Sequence, residues 1–527
     1  MRAARHTSGA RVSLPRRSTI LLILLAACGG GDASAPKQSA SNPTPTLISV
    51  TPAQLTAGAA TTVTLNGSRF VASSHAQWNG ADRTTHYVND ATLTVDLTAA
   101  DLASPATGAL TVVNPAPGGG TSGQLDVPIG FPVPTITSVA PTPAMALSAF
   151  TLTVTGTGFY PTSVIRWNGV DRPTTYVSAT SLTAAIPASD VPVPGTASIV
   201  VVNPTPGGGA SAAKSLTVQA PPLAITATLT LPNIALMRDS IRGVLYASVT
   251  NSGGANANSI AKIDPATATI IASLPVGLNP GAMAMSEDGQ FLYVGLLGAS
   301  KIVRVDLQTF TKDIEFALPT SSRSGNPPLY GGDLLVLPGL PRSVVVSLKI
   351  PNSSPAYEGV AIYDDSVPRT DMTDMFGATR IVRGPTASTI YGFNDQGYSY
   401  FHRMLVTPTG IKEDSSTTGL LQAYRDIEYD GGLVFGTDGA VIDEVAMSLL
   451  GTIPVSGNAV RPDVANGRAH ILSSPTIHTY SSTTYTRIGS FTDPAIAGNT
   501  IVRWGTDGLA VGGGNTIVFL RGTLVAP

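Results

Sequence analysis

Few residues in this sequence are of a type that does chemistry, and their spacing narrows the choice further. Cys28 is the only cysteine, so no intramolecular disulfide can form and stability has to come from packing. His402, His470 and His478 are the only histidines beyond residue 220. Of these only His470 and His478, eight residues apart, fall on neighbouring strand-like runs where two imidazoles could share a metal or a proton; a structural role is the expectation. Asp364, Asp365, Asp371 and Asp374 form the densest carboxylate cluster. Their oxygens suit a hard cation such as calcium, but the glycine and terminal Glu of a known calcium loop are missing, so a solvated connection between strands is expected. Trp78 and Trp167 would stack on a sugar if exposed, and packing at a sheet edge is the expectation for both. There is no G-x-S-x-G elbow, H-E-x-x-H helix, P-loop or dinucleotide fingerprint. The sequence thus assigns no catalytic, cofactor-binding or metal-binding residue and calls for no cofactor.

The elements that hold these residues are set by composition. The chain has 527 residues, of which 12% are charged, with 54 Gly and 41 Pro. That length allows several domains, and that composition excludes helical bundles and coiled coils. The formal net charge is −2, and no basic stripe is present, which argues against binding nucleic acid through phosphates.

Residues 1–27 read as a secretory leader: Arg2, Arg5, Arg11, Arg16 and Arg17 stand without an acid, ahead of the short apolar run Ile20–Leu25 and the small residues Ala26 and Ala27. The run is far below the roughly 20 residues that span a bilayer, and no later segment approaches that length without Gly, Pro or a charge. Leu25-Ala26-Ala27-Cys28 resembles the lipobox of bacterial lipoproteins. The resemblance implies that the Cys28 thiol is lipidated and becomes the N-terminus, and Gly29 in place of Asp implies the outer membrane. Several acyl chains on one cysteine, at about 0.8 kcal/mol per buried methylene, anchor durably where one chain does not. Arg16-Arg17 is a poor match to twin-arginine export, given Ser18 and Thr19. Residues 28–45 have too little apolar area to offset ordering and read as a flexible tether.

The strongest signal is a gapless internal repeat at an offset of 89 residues. Leu47–Pro52 matches Ile136–Pro141, Gly67–Phe70 matches Gly156–Phe159, and Trp78-Asn79-Gly80 matches Trp167-Asn168-Gly169. Asp82-Arg83 matches Asp171-Arg172, and Val113-Asn114-Pro115 with Gly118–Gly120 matches Val202-Asn203-Pro204 with Gly207–Gly209. Thr62–Leu65 and Thr151–Val154 alternate with the period of half-buried strands, and Asn-Gly marks two-residue hairpins. Several short strands in just under 90 residues imply a β-sandwich. These residues resemble the IPT/TIG family of immunoglobulin-like domains, over 46–130 and 134–220.

From residue 223 to 527 strand-like runs recur at Val244–Ala247, Phe291–Val294, Ser343–Val346, Thr389–Gly392, Leu433–Gly436, Ala469–Leu472 and Leu509–Gly512, each followed by a second apolar run. Spacings of roughly 36–52 residues, with four strands to a unit, predict a propeller of seven blades. The first two units, with Leu245–Asn251, Lys262-Ile263-Asp264, Pro280–Gly289 and Leu292-Tyr293-Val294, resemble the YVTN-type repeat. Ala227–Leu231 resembles the outer-strand segment Ile270–Leu274, and residues 224–231 are expected to complete the last blade, removing an exposed edge.

The expected fold is therefore all-β, with two immunoglobulin-like sandwiches in tandem and a C-terminal β-propeller. The expected function is that of a non-catalytic surface lipoprotein, with the sandwiches as a stalk and the propeller as a binding platform for an extracellular protein or glycan. The alternatives are a propeller lyase or hydrolase acting on an extracellular polymer, and an outer-membrane assembly factor. A convergent set of His, Arg, Tyr or carboxylate groups at one channel mouth would decide between binding and catalysis, and the sequence offers only scattered residues of these types.

Overall fold

The computed structural model describes residues 41–323, 325–353, 356–373, 378–394, 399–422 and 426–526. The leader, Cys28, the tether as far as residue 40 and Asp374 lie outside them. Among the described residues no helix is long and apolar enough to cross a membrane. The chain divides into two compact units, 1–129 and 130–527.

The first unit is a sandwich of two β-sheets. One orders its strands Thr46–Thr51, Thr61–Ser68, Thr92–Leu97 and Thr85–Asn89; the other is built on Ala106–Asn114 between Leu125–Gly130 and His75–Trp78. Alternation does what the sequence pattern requires: Val63, Leu65, Leu93 and Val95 from one sheet meet Ala76, Trp78, Leu110 and Val112 from the other, all essentially buried. Asn79 and Gly80 have φ of 50° and 81°, the positive values a type I′ hairpin turn demands. Trp78 is buried rather than exposed, and its Nε1–H donates to the Asp101 carbonyl at 3.2 Å. A side chain at Gly108 would overlap the Trp78 ring, so this glycine is what admits the indole.

The repeated Asn is a tie. Ser74 Oγ donates to Asn114 Oδ1 at 2.5 Å, and Asn114 Nδ2 donates to the carbonyls of Pro43 and Arg69. Asn42, read from sequence as tether, is instead fastened to this loop through its Nδ2 to Pro115 O at 2.7 Å and its N–H to Pro117 O at 2.8 Å. The repeated domain thus begins a few residues earlier than the sequence pattern suggests.

In the second unit, residues 135–219 repeat this sandwich strand for strand. Ser163, Asn203, Pro132 and Gly158 reproduce the same tie, and Asn168-Gly169 the same turn. One difference is local. Ala197 stands where the first copy has Gly108, and Trp167, also buried, leaves its Nε1–H without a hydrogen-bond partner.

The rest of the second unit is a β-propeller. Its described residues form seven four-stranded antiparallel sheets, each ordered from an inner to an outer strand. The inner strands are Asn233–Asp239, Pro280–Met285, Tyr330–Val336, Arg380–Arg383, Ile427–Asp430, Ala459–Asp463 and Thr500–Trp504. Each touches the next, and the last returns to the first. Second strands such as Val244–Val249 and Phe291–Leu296 are buried at every position, whereas the outer strand Thr269–Pro275 alternates. A strand covered by neighbouring blades on both faces has no solvent side, so its sequence is continuously apolar; only the outer strand keeps a wet face.

Closure follows the sequence expectation. Ala224–Thr230 pairs antiparallel with Thr516–Arg521, from Ala224 opposite Arg521 to Thr230 opposite Thr516, and so supplies the outer strand of the last sheet. Asn233 fastens it: Nδ2 donates to Leu231 O at 2.7 Å, Oδ1 accepts from the Gly513 N–H at 2.7 Å, and its own N–H donates to Gly514 O at 2.8 Å. At the other side of this junction Leu147 and Val193 of the second sandwich pack against the propeller cluster that includes Leu223, Ile488, Leu520 and Leu524. That sandwich is thus in apolar contact with the propeller.

Candidate functional site

The described residues among those singled out in the sequence do not assemble into a centre. His470 lies opposite Thr479 and His478 opposite Ile471, so the two imidazoles point to opposite faces of their sheet. His470 is buried with Nδ1 2.9 Å from Thr479 Oγ1, His478 sits beside the Tyr480 ring, and His402 is buried with Nδ1 3.2 Å from Glu413. The aspartates disperse to separate cations. Asp364 accepts from Arg369 at 2.9 and 3.0 Å, Asp365 from Arg304 at 2.6 Å, and Asp371 pairs with Lys412 at 3.3 Å. Each of these three carboxylates is therefore committed to a partner, which holds strands together, and no shared oxygen cage forms among the described residues. Arg304 is the clearest case: 2% exposed, it spans Tyr293, Asp313 and Asp365 with its guanidinium 4.3 Å over the Phe291 ring.

The convergent polar set lies elsewhere, on the inner strands that line the channel. Because each inner strand leads into the second strand of its own sheet, these strands run the same way, and their N-terminal ends share one mouth. At that level Asp333, Arg380 and Asp426 come from three successive blades. Arg380 Nε is 3.6 Å from Asp426 Oδ1, and Asp333 Oδ2 accepts from the Ile381 N–H at 2.9 Å. Burial pushes the Asp333 carboxyl up to about 6, with Arg380 opposing and Asp426 adding to the rise.

One step along the strands, Glu428 faces Arg461 of the next blade at 3.8 Å. The Glu428 side chain is 43% exposed and stands on an inner strand of the closed ring. Desolvation there lifts its carboxyl to about 7 against the pull of Arg461, with Asp426, Asp333 and Asp430 contributing. Beyond it Arg503 pairs with Asp463 and donates to the carbonyls of Thr506 at 3.2 Å and Val525 at 2.9 Å. Arg238, on the inner strand beside that of Arg503, is held below its usual range by burial and by the like charges of Arg503 and Arg461. His470, behind Arg461 on the same sheet face, is held neutral, down to about 3, by burial and then by Arg468, Arg503 and Arg461. The lumen is thus acidic on one side and strongly basic on the other.

The IPT/TIG domain family model matches residues 45–127 and 134–218. Both sandwiches are IPT/TIG domains. No curated protein matches the chain. Among solved structures, the β-propeller domain of Cps50 (Swd1) from Myceliophteria thermophila aligns at 14% identity and a TM-score of 0.46, covering 57% of this chain and 99% of that one. Hydrazine synthase from Kuenenia stuttgartiensis aligns at 13% identity and 0.45, covering 57% and 98%. The propeller assignment stands on the sheet order and the closed ring of inner strands. Tandem IPT/TIG domains joined to a propeller fit a binding or scaffold role.

Proposed function

We propose that this protein is a lipid-anchored envelope protein in which the IPT/TIG domains carry a YVTN-type propeller that binds an extracellular polymer or protein through its channel. The anchor is Cys28, within a lipobox-like run, and the placement is the outer membrane. The observation that carries the binding reading is the channel itself. Charged side chains from at least five inner strands converge there, whereas the histidines and aspartates of the blades are tied into local structure. A channel walled by rigid sheets presents such groups at fixed positions, which lowers the cost of ordering on binding. Equilibrium binding of the full-length lipidated protein to defined extracellular polysaccharides tests this: saturable binding that Arg461→Ala weakens supports it, and binding indifferent to every channel substitution refutes it.

Glu428 favours a second reading. A carboxyl that titrates near neutrality beside an arginine suits proton transfer, so a lyase or hydrolase working in the channel is the competing function. Polymer turnover by the wild type that Glu428→Gln abolishes would establish it in place of simple binding.

A further inference from the structure

We propose that the channel holds an oxyanion, the carboxylate or phosphate group of an incoming ligand, between Arg238, Arg461 and Arg503. This rests on the binding reading above and names its chemistry. The three arginines sit on the consecutive inner strands Ala459–Asp463, Thr500–Trp504 and Asn233–Asp239, of which the middle one touches both others. They therefore face one arc of the lumen from three blades, a geometry that one ligand group with two or three oxygens can bridge.

The charges around this arc do not balance. Arg468, 2% exposed, adds a fourth guanidinium, directed to the carbonyls of Leu524 and Ala526. Against these four stand, among the described residues, two carboxylates within ion-pair distance, Asp463 and Glu428. Asp463 is shared between Arg503 and Arg468, the latter at 3.7 Å. Glu428 reaches only Arg461, at the long distance of 3.8 Å. The other acids of the channel are occupied: Asp426 with Arg380, Asp333 with the Ile381 N–H, and Asp430 with the Val464 N–H at 2.7 Å. Asp239, next to Arg238, is fully buried and turned to Arg242 and Tyr246.

The Arg238 side chain makes no hydrogen bond or ion pair with any described residue, and among the described residues the buried Nε–H groups of Arg461 and Arg503 have no acceptor. Unused guanidinium donors in an enclosed site recognise planar or tetrahedral oxyanions, bidentate where the fork allows. The buried His470 Nε2, also without a partner, lies on the Arg461 face and stays uncharged in this field. Like charges held together cost stability, and such arrangements cluster at functional sites; anion binding is the function that this one serves.

Calorimetric titration of the full-length protein at low chloride, with inorganic phosphate in one arm and glucuronate in the other, tests the site. The expected result is binding of at least one probe, weakened about tenfold or more by Arg238→Ala. Arg238→Ala removes a like-charge contact and should keep or raise the melting temperature, which separates lost binding from lost folding. Glu428→Gln frees Arg461 from its carboxylate and should tighten binding several-fold. Arg487→Ala, on an outer strand, should change nothing. Affinity for both probes weaker than about 10 mM in folded wild type, or binding that Arg238→Ala leaves unchanged, overturns the proposal. The arms separate the ligand source, since phosphate alone binding points away from uronates. Polymer binding that survives Arg238→Ala at full strength overturns this site while leaving the binding reading intact.

Discussion

Asn233→Ala is expected to loosen the propeller at its closure without touching any blade core. The amide is 4% exposed and joins the incoming outer strand to the last blade, through Leu231 O and the Gly513 N–H at 2.7 Å each. Truncation leaves the Leu231 carbonyl buried and unpaired, which costs about 1–3 kcal/mol, while the half-buried Gly513 N–H recovers part of its bond from water. Together with the small void, a loss of about 2–4 kcal/mol is expected. At roughly 2 °C per kcal/mol for a domain of this size, the propeller transition falls by about 4–8 °C in scanning calorimetry. The transition of the first sandwich should not move. Asn233→Asp keeps the acceptor for Gly513 but turns a carboxylate toward two carbonyls, so its loss should shrink in acid as the carboxyl protonates. An unshifted propeller transition in Asn233→Ala would refute the reasoning, because the clasp would then carry no weight in closure.

Other expectations follow from the same structure. Glu428 and Asp333 have carboxyls raised to about 7 and about 6, so the folded state keeps their protons longer than the unfolded chain does, and stability from these groups falls as pH rises from about 4 to 7. His470, held down to about 3, acts in the opposite direction, so the effect is read as a difference: Glu428→Gln should gain about 1 kcal/mol over wild type between pH 5 and 8, after allowance for lumen exposure, and a constant difference would contradict it. Gly108→Ala should destabilise the first sandwich by about 3 kcal/mol through overlap with Trp78, whereas Ala197→Gly in the second should cost about 1 kcal/mol; equal small effects on thermal melts would show that the indole shifts freely. Cys28→Ser should release the protein from the membrane fraction, and unchanged detergent partitioning would refute the lipid anchor.

What the sequence makes legible is what local pattern encodes. The Asn-Gly turns specify positive φ within two residues, the alternation at Val63 and Leu65 specifies a face, and the continuous run Val244–Val249 specifies a strand covered on both sides. Closure is also legible, because Ala224–Leu231 carries the same half-wet pattern as other outer strands. The channel is not. Arg238, Arg461 and Arg503 lie on three short inner strands, two of which are separated by most of the propeller sequence, and only closure of the ring makes them neighbours. Their local context, an arginine within or at the end of a short apolar run, looks the same as that of any exposed arginine. Asn114 and Asn203 were legible as repeat markers, but the carbonyls they tie come from segments 45 and 71 residues away. Asn42 was unreadable for the reverse reason, since a Pro- and Ser-rich segment carries no period even when its backbone is bonded to a neighbouring loop.

Whether the channel binds a negatively charged group is tested most directly by anomalous diffraction from crystals of the full-length protein soaked in selenate, a tetrahedral oxyanion with a locatable atom. An anomalous peak is expected in the lumen within hydrogen-bond reach of Arg238, Arg461 and Arg503, lost in Arg238→Ala crystals of the same form. Peaks confined to exposed arginines on the outer strands, with none in the lumen, would contradict anion binding in the channel.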